Sequence, residues 1–139
     1  MDRALFDWNG KGLSIGELHV RTPIVQGGMG IGVSGYRLAS AVAEAGGIGV
    51  LSAVGLGLLK RDTDGDALEM PERSGESRGL TMLRREIRAA RKRTKGVLGV
   101  NIMTAVSDFQ AAAKTAAEEE IDIIFSGAGL PLTLPECLA

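Results

Sequence analysis

The chain has 139 residues, of which 45% are hydrophobic and 24% are charged, a composition typical of one globular domain with its own core. Its net charge of −1 provides no overall attraction to nucleic acid or to anionic membranes. Cys137 is the only cysteine and His19 the only histidine, so the sequence excludes an internal disulfide and a cysteine-based metal cluster, and we expect no metal site and no chemical role for either residue.

The N-terminal part of the chain contains a hairpin pattern followed by a strand pattern. Leu13–Ile15 and Leu18–Val20 are short alternating segments separated by two turn-forming residues, which predicts an antiparallel hairpin. Residues 23–26 are an apolar strand pattern. This strand runs directly into the glycine-rich segment 27–30, which is too flexible to be regular structure.

The next segment predicts a helix that leads into a second strand. Ser34 is the predicted N-cap of this helix, and glycines 46–47 are its predicted end. Residues 48–51 form a strand pattern with no polar face, which is typical of a buried parallel strand. The predicted apolar stripe of the helix consists of Leu38, Ala41, Val42 and Ala45.

A long polar segment precedes the second predicted helix. Residues 60–79 are rich in turn formers and predict a surface loop. The apolar stripe of the following helix is Leu80, Leu83, Ile87 and Ala90. Its other face carries Arg84, Arg85, Arg88, Arg91, Lys92 and Arg93. We interpret this basic face, and the acidic run 118–120 further along, as solvated surface, because no aromatic residues accompany the arginines for base stacking.

The last third of the chain repeats the alternation of strand and helix. Residues 97–101 and 121–125 are the third and fourth predicted strands, and Ser107 with Gln110 predicts a capping box for the helix between them. The predicted buried stripe of that helix is Phe109, Ala112, Ala113 and Ala116. Residues 135–139 give no indication of a packed terminal helix.

The order of these elements predicts an α/β fold. Apolar strands that alternate with amphipathic helices are typical of a parallel sheet covered by helices. If successive strands are neighbours, right-handed crossovers place every helix on one side, as in a (β/α)8 barrel. A doubly wound sheet with a reversal of strand order is the alternative, and the pattern alone leaves it open.

Small and polar residues follow three of the predicted strands, where ligands bind in parallel α/β folds. The segment after the first strand does not match a dinucleotide-binding glycine motif in register, so it is either a tight turn or a backbone platform for a flat cofactor ring. Asn101 ends the third strand and offers a donor and an acceptor together, although it can also simply terminate the strand. Residues 127–129 (Gly-Ala-Gly) follow the fourth strand.

The sequence contains no secretory or membrane-spanning pattern. The N-terminal residues lack the apolar segment of a signal peptide, and no stretch reaches the ~20 apolar residues that a bilayer span requires. We therefore expect a cytoplasmic protein that has neither membrane nor nucleic acid as a partner.

Four motifs in series resemble the nitronate monooxygenase (2-nitropropane dioxygenase) family and the related flavin-dependent enoyl-acyl-carrier-protein reductases. Residues 13–16 and 23–30 resemble the opening of these enzymes, and residues 38–49 resemble their first helix and second strand. Residues 99–103 and 127–131 resemble the ends of their third and fourth strands. A series of motifs across most of the chain is more specific than any one of them.

This resemblance implies an FMN-binding TIM barrel that oxidises alkyl nitronates with O2. In that comparison the chain is the N-terminal part of a single barrel domain, with an N-terminal hairpin and about the first four βα units. The family's catalytic histidine belongs to a later segment, and His19 does not replace it. By the same resemblance, the residues that contact FMN or line its pocket are Gly27, Gly28, Met29, Asn101, Gly127 and Ala128.

A barrel needs eight strands and typically about 250 residues, whereas this sequence predicts four strands. We therefore expect the 139-residue chain alone to be inactive and to bind FMN weakly or not at all. An open half-barrel has unpaired strand edges, which favours pairing with another copy or with a complementing second half. A reductase of the enoyl-acyl-carrier-protein type and a non-catalytic association module are the alternative functions.

Overall fold

The computed structural model describes residues 12–58 and 75–138, and it begins with the predicted hairpin. Strands β1 (Leu13–Ile15) and β2 (Leu18–Val20) pair antiparallel, with Leu13 opposite Val20. Gly16 has φ +57° in the turn between them, a conformation that glycine adopts without strain. The hairpin prediction is confirmed.

Three strands form a parallel sheet in which spatial order follows chain order. These are β3 (Gly49–Ser52), β4 (Leu98–Met103) and β5 (Ile123–Gly127). The predicted strand at residues 23–26 is present only as a single parallel bridge between Val25 and Ile48, next to β3. The observed strands begin and end one or two residues later than predicted.

Helices alternate with the strands along the chain. They are α1 (Tyr36–Glu44), α2 (Arg78–Arg93), α3 (Phe109–Glu118) and the short α4 (Leu134–Leu138), and a 3-10 turn occupies Leu56–Leu58. Helices α1, α2 and α3 share one apolar core with the same face of the sheet, which includes Leu51, Val100 and Ile102. Within residues 12–58 and 75–138, neither a reversal of strand order nor helices on both faces are seen, so the described part lacks the features of a doubly wound sheet.

The opposite face of the sheet has its own smaller core. Ile48 and Val50 are buried there with Val20 of the hairpin, and Ile123 and Phe125 pack against them. Ile48 and Ile123 lie at the start of their strands, so the hairpin covers the amino-terminal end of this face. The carboxyl-terminal end of the same face is where the residues predicted as a site are found.

Helix α1 is oriented differently from the prediction. Its buried residues are Ala39, Ser40 and Ala43, whereas Leu38 is 37% exposed and Ala41 and Ala45 are exposed. The predicted stripe is therefore wrong. The physical reason is close packing on β3: a Cβ added to Gly49 would lie 1.8 Å from the carbonyl oxygen of Ala39. Only small side chains allow this approach, so the small face of the helix is the buried one.

The predicted cap of α1 is also wrong. The N-cap position is Gly35, which makes no side-chain cap hydrogen bond. Instead the backbone N–H of Tyr36 donates to Oε2 of Glu86, a buried residue of α2, at 2.6 Å. A carboxylate at a helix N-terminus is favoured by the helix dipole, so a residue 50 positions away does what a local cap usually does.

The basic face of α2 is partly buried, contrary to the prediction of a solvated surface. Arg84 is 4% exposed, and its guanidinium pairs with Glu76 at 3.0 Å, Glu118 at 2.5 Å and Glu119 at 2.9 Å. Glu119 also pairs with Arg88 at 2.5 Å, and its side chain is 8% exposed. The acidic run 118–120 at the end of α3 is therefore not wholly solvated either, because α2 and α3 pack side by side and bring opposite charges together.

The ion pairs shift the pKa values of Arg84 and Glu119. Burial of Arg84 opposes its charge, but hydrogen bonds to Glu118, Glu119 and Glu76 outweigh that effect and raise the pKa of the guanidinium. The pKa of Glu119 is lowered, first by its hydrogen bond with Arg88 and then by Arg84, against the effect of burial. Both groups are therefore held in their charged forms.

The remaining predictions about helix ends have mixed outcomes. The loop prediction at 60–79 falls mostly outside the described residues, but α2 begins at Arg78 with Ser77 as its cap, so the last two residues of that range are helical. The predicted capping box is wrong, because α3 is preceded by Asp108 and has no side-chain cap bond. Its predicted buried stripe is confirmed.

The end of the chain is more ordered than predicted. Helix α4 occupies Leu134–Leu138, and its residues Leu134 and Cys137 are partly buried against the main core. The thiol of Cys137 hydrogen-bonds to the carbonyl oxygen of Thr133 at 3.1 Å. In the described part of the chain, every helix is too short or too polar to cross a membrane.

Candidate functional site

The centre of the candidate site is a contact between the glycine segment and the end of β4. The side-chain amide Nδ2 of Asn101 donates to the carbonyl oxygen of Gly28 at 3.1 Å. A Cβ added to Gly28 would lie only 2.3 Å from the Cβ of Asn101. Two predicted site residues 73 positions apart are therefore in direct contact, and the absence of a side chain at Gly28 is what permits it.

The other predicted residues border this contact. A Cβ added to Gly27 or to Gly127 would meet no atom within 4 Å, so open space lies beside both. Met29 is 46% exposed. Gly127 pairs with Met103 in the β4–β5 ladder, two positions beyond the pairing of Asn101 with Phe125, so it lies on the same face of the sheet as Asn101.

The structure does not join all six predicted residues into one hydrogen-bonded group. The carbonyl oxygen of Gly127 accepts from the backbone N–H of Thr104 at 2.7 Å, and no hydrogen bond links it to Gly28. Ala128 is exposed and has φ +56°, an uncommon conformation for a residue with a side chain. Gly28 and Asn101 thus form the centre of the candidate site. Residues 127–128 are separate from this contact, and open space lies beside Gly127.

Two residues that sequence reasoning did not assign to the site hold the glycine segment in place. The hydroxyl of Ser34 donates to the carbonyl oxygen of Gly27 at 3.0 Å and accepts from the backbone N–H of Met29 at 2.9 Å. Nε2 of Gln26 donates to the same hydroxyl at 2.9 Å and to the carbonyl oxygen of Val50 at 3.0 Å. Polar residues at both ends of a glycine run are the sequence signal for this role, but Ser34 also matches the pattern of a helix N-cap.

The site is uncharged. Residues 24–34, 97–107 and 123–135, which include the strand ends and the loops after them, contain no acidic or basic side chain. Among residues 12–58 and 75–138, no group of three His, Cys, Asp or Glu residues could hold a metal ion. The arrangement can bind a neutral, flat heterocycle through backbone and amide groups, and it supplies no side chain of its own for proton transfer at neutral pH.

His19 is located away from this end of the sheet. It belongs to β2 of the hairpin, and its Nδ1 is 3.0 Å from the hydroxyl of Ser14 in an exposed position. Because the hairpin packs at the starts of the parallel strands, His19 lies at the opposite end from Asn101.

A small cavity lies near the site but on the helix-covered face. Its volume is about 90 Å³, and it is lined by residues from the ends of β3 and β4 and from α2 and α3, among them Ala53, Leu83, Ile102 and Ala112. Pockets for cofactor-sized ligands are typically about 300–1,000 Å³. This cavity is therefore too small for a flat cofactor.

In the described residues, consecutive parallel strands with their helices packed on one face define an α/β domain, and domains of this class bind ligands at the carboxyl ends of the strands. The nitronate monooxygenase family model matches residues 13–126, which is most of the chain. The protein belongs to the nitronate monooxygenase family.

Solved structures support the same relationship. The chain is similar to FabK from Thermotoga maritima, with 28% sequence identity and a TM-score of 0.62 over 86% of this chain. A mutant of the same FabK gives the same values. The chain spans only 32% of the length of these FabK chains. A comparison with curated proteins gives no significant match.

Proposed function

We propose that this chain forms the N-terminal part of an FMN-dependent (β/α)8-barrel oxidoreductase and supplies one wall of its flavin pocket. The observation that carries the proposal is the contact between Gly28, in the segment after the Val25–Ile48 bridge, and Asn101, near the carboxyl end of the parallel strand β4. This is where barrel enzymes have their active sites. The family match and the likeness to FabK support a flavin-dependent oxidoreductase.

The residues fit the ring of FMN better than its phosphate. Asn101 has donor and acceptor capacity beyond its one bond to Gly28, which suits the edge of an isoalloxazine ring. Open space beside Gly27 and Gly127 allows the face of a flat ring to approach the backbone. The phosphate is a dianion, and the uncharged strand-end segments offer it no cation. Its contacts would come from a part of the enzyme outside this chain.

The bound flavin would supply the redox chemistry, and the residues of this chain would hold and orient it. Asn101, fixed by Gly28, would set the position of the ring edge, while the backbone of Gly27 and Met29 would exclude water from one side. The proposed reaction is oxidation of an alkyl nitronate by O2. We place the enzyme in the cytoplasm, and we propose no acid or base from this chain.

A flavin-dependent enoyl-acyl-carrier-protein reductase is the second candidate, favoured by the structural likeness to FabK. The two candidates differ in what reacts with the flavin. A nitronate should bleach the flavin of a complete nitronate monooxygenase under anaerobic conditions, and air should restore its colour. A reduced nicotinamide should bleach the flavin of a reductase, and an enoyl thioester should reoxidise it.

The isolated chain should be inactive, because it spans about a third of the FabK chains. We propose that another copy or a complementing half-barrel completes the pocket. Light scattering together with the visible absorption spectrum tests this point. Flavin bands and nitronate turnover by the 139-residue chain alone would contradict it. A discrete colourless oligomer that gains no flavin would favour a non-catalytic association module.

Quenching of free FMN fluorescence by the purified chain tests the flavin wall directly. We expect weak quenching that Asn101→Ala reduces about tenfold in affinity, because a partly buried hydrogen-bonding group is lost. Ser107→Ala is the matched control, since Ser107 is exposed and makes no cap bond at α3. Quenching that Asn101→Ala and Ser107→Ala weaken equally would overturn the assignment of the pocket.

A further inference from the structure

We propose that Ser34 is a positioning residue that holds the glycine segment in the conformation required for flavin contact. The inference rests on the proposed function, and it adds a residue that does not itself touch the ring. Ser34 is 1% exposed and lies between the glycine segment and α1. Its role follows from the contacts of its hydroxyl and of its backbone.

The hydroxyl of Ser34 uses its full hydrogen-bonding capacity. It donates its single proton to the carbonyl oxygen of Gly27 and accepts from the backbone N–H of Met29 and from Nε2 of Gln26. A hydroxyl has one donor and two acceptor positions, so all three are occupied. The first N–H of α1 is satisfied by Glu86 instead. Ser34 is therefore committed to the glycine segment and not to the helix.

Further bonds tie the same loop to β3. The carbonyl oxygen of Ser34 accepts from the backbone N–H of Ser52 on β3 at 3.0 Å. Within the loop, the backbone N–H of Ser34 donates to the carbonyl oxygen of Met29 at 3.0 Å. Gln26 bonds both backbone groups of Val50, donating from Nε2 at 3.0 Å and accepting at Oε1 at 3.1 Å. The loop is thus attached at both ends to a buried strand.

This attachment opposes the flexibility of the segment. Glycines occupy positions 27, 28, 30 and 32, and glycine loses more conformational freedom on ordering than any other residue. Without the hydroxyl, the carbonyl oxygen of Gly28 would no longer be held opposite the amide of Asn101. A ligand would then have to order the loop when it binds, which lowers its affinity.

The test compares Ser34→Ala with Ser40→Ala in the purified chain. Ser40 is also buried, at 4% exposure, and its hydroxyl makes one bond, to the carbonyl oxygen of Arg37 on α1. Both variants should lower stability, but only Ser34→Ala should shift the NMR resonances of the Asn101 side-chain amide and weaken FMN quenching about tenfold. Gln26→Met keeps the side-chain length and should reproduce both effects.

Separate outcomes distinguish this inference from the proposed function. If the wild-type chain shows Asn101-dependent quenching and Ser34→Ala behaves like Ser40→Ala, the positioning role is refuted and the flavin wall stands. If Ser34→Ala shifts the Asn101 amide but Asn101→Ala and Ser34→Ala leave FMN quenching as strong as in the wild-type chain, the loop is ordered by Ser34 and the flavin assignment is refuted, together with the role that we derive from it.

Discussion

Replacement of Gly28 by alanine should test the central contact of the site most directly. The added Cβ would lie 2.3 Å from the Cβ of Asn101 and 2.8 Å from its Nδ2. Carbon atoms normally approach to about 3.5–4.0 Å, so the glycine segment or β4 must move by roughly 1 Å. Because β4 is paired on both sides, the segment should move and lose its hydrogen bond from Asn101. We expect a loss of about 1–3 kcal/mol in the free energy of unfolding.

Urea denaturation measures this loss, and Gly27→Ala is the matched control. A Cβ at Gly27 meets nothing within 4 Å, so its cost should stay within about 0.5 kcal/mol. In the Gly28→Ala background, Asn101→Gly should recover stability because it removes the opposing Cβ, whereas Asn101→Ala keeps that atom and should not. Equal stability of the Gly28→Ala and Gly27→Ala variants would refute the close packing that we describe.

Three further predictions concern charge and helix ends. Arg84→Ala should cost about 3–5 kcal/mol in the free energy of unfolding because it removes the buried guanidinium that pairs with three carboxylates, whereas Arg91→Ala, at a 27% exposed side chain, should cost about 0–1 kcal/mol. Because the pKa of Glu119 is lowered in the folded state, its ionised form stabilises the fold at pH values above its ordinary pKa of 4.5. This stabilisation is lost as the pH falls through the lower pKa of the folded state. Urea denaturation at several pH values should therefore show a smaller loss of stability in acid for Glu119→Gln than for the wild-type chain. Ser77→Ala should cost about 1 kcal/mol through loss of the cap bond to the N–H of Leu80, while Ser107→Ala should cost almost nothing; equal costs would show that the cap assignment is wrong.

Local patterns predicted the elements whose causes are local. The hairpin at Leu13–Val20 depends on alternation and a glycine turn, and the buried stripe of α3 depends on helical periodicity. Both are confirmed. The candidate site was predicted in part: Gly28 and Asn101 were chosen as residues at strand ends, and the structure places them in contact.

Three of the errors share one physical origin, which is contact between segments distant in sequence. Ser34 resembles a helix cap, but its hydroxyl donates to the carbonyl oxygen of Gly27 in the neighbouring loop. The carboxylate of Glu86 accepts from the first N–H of α1 instead. Arg84 belongs to a basic face that looks solvated, but three carboxylates from two other segments surround it. The buried side of α1 is set by the close approach of Ala39 to Gly49 on β3. The hydrophobic period of the helix sequence carries no information about that contact.

The sequence by itself determined the type and order of the elements, because turn chemistry and hydrophobic period act over a few residues. It also determined the family, because motifs in series along residues 13–126 are specific. Only the tertiary structure decided which side of α1 is buried and which polar groups pair. Those outcomes depend on burial and desolvation between segments such as Gly28 and Asn101, which are 73 residues apart along the chain.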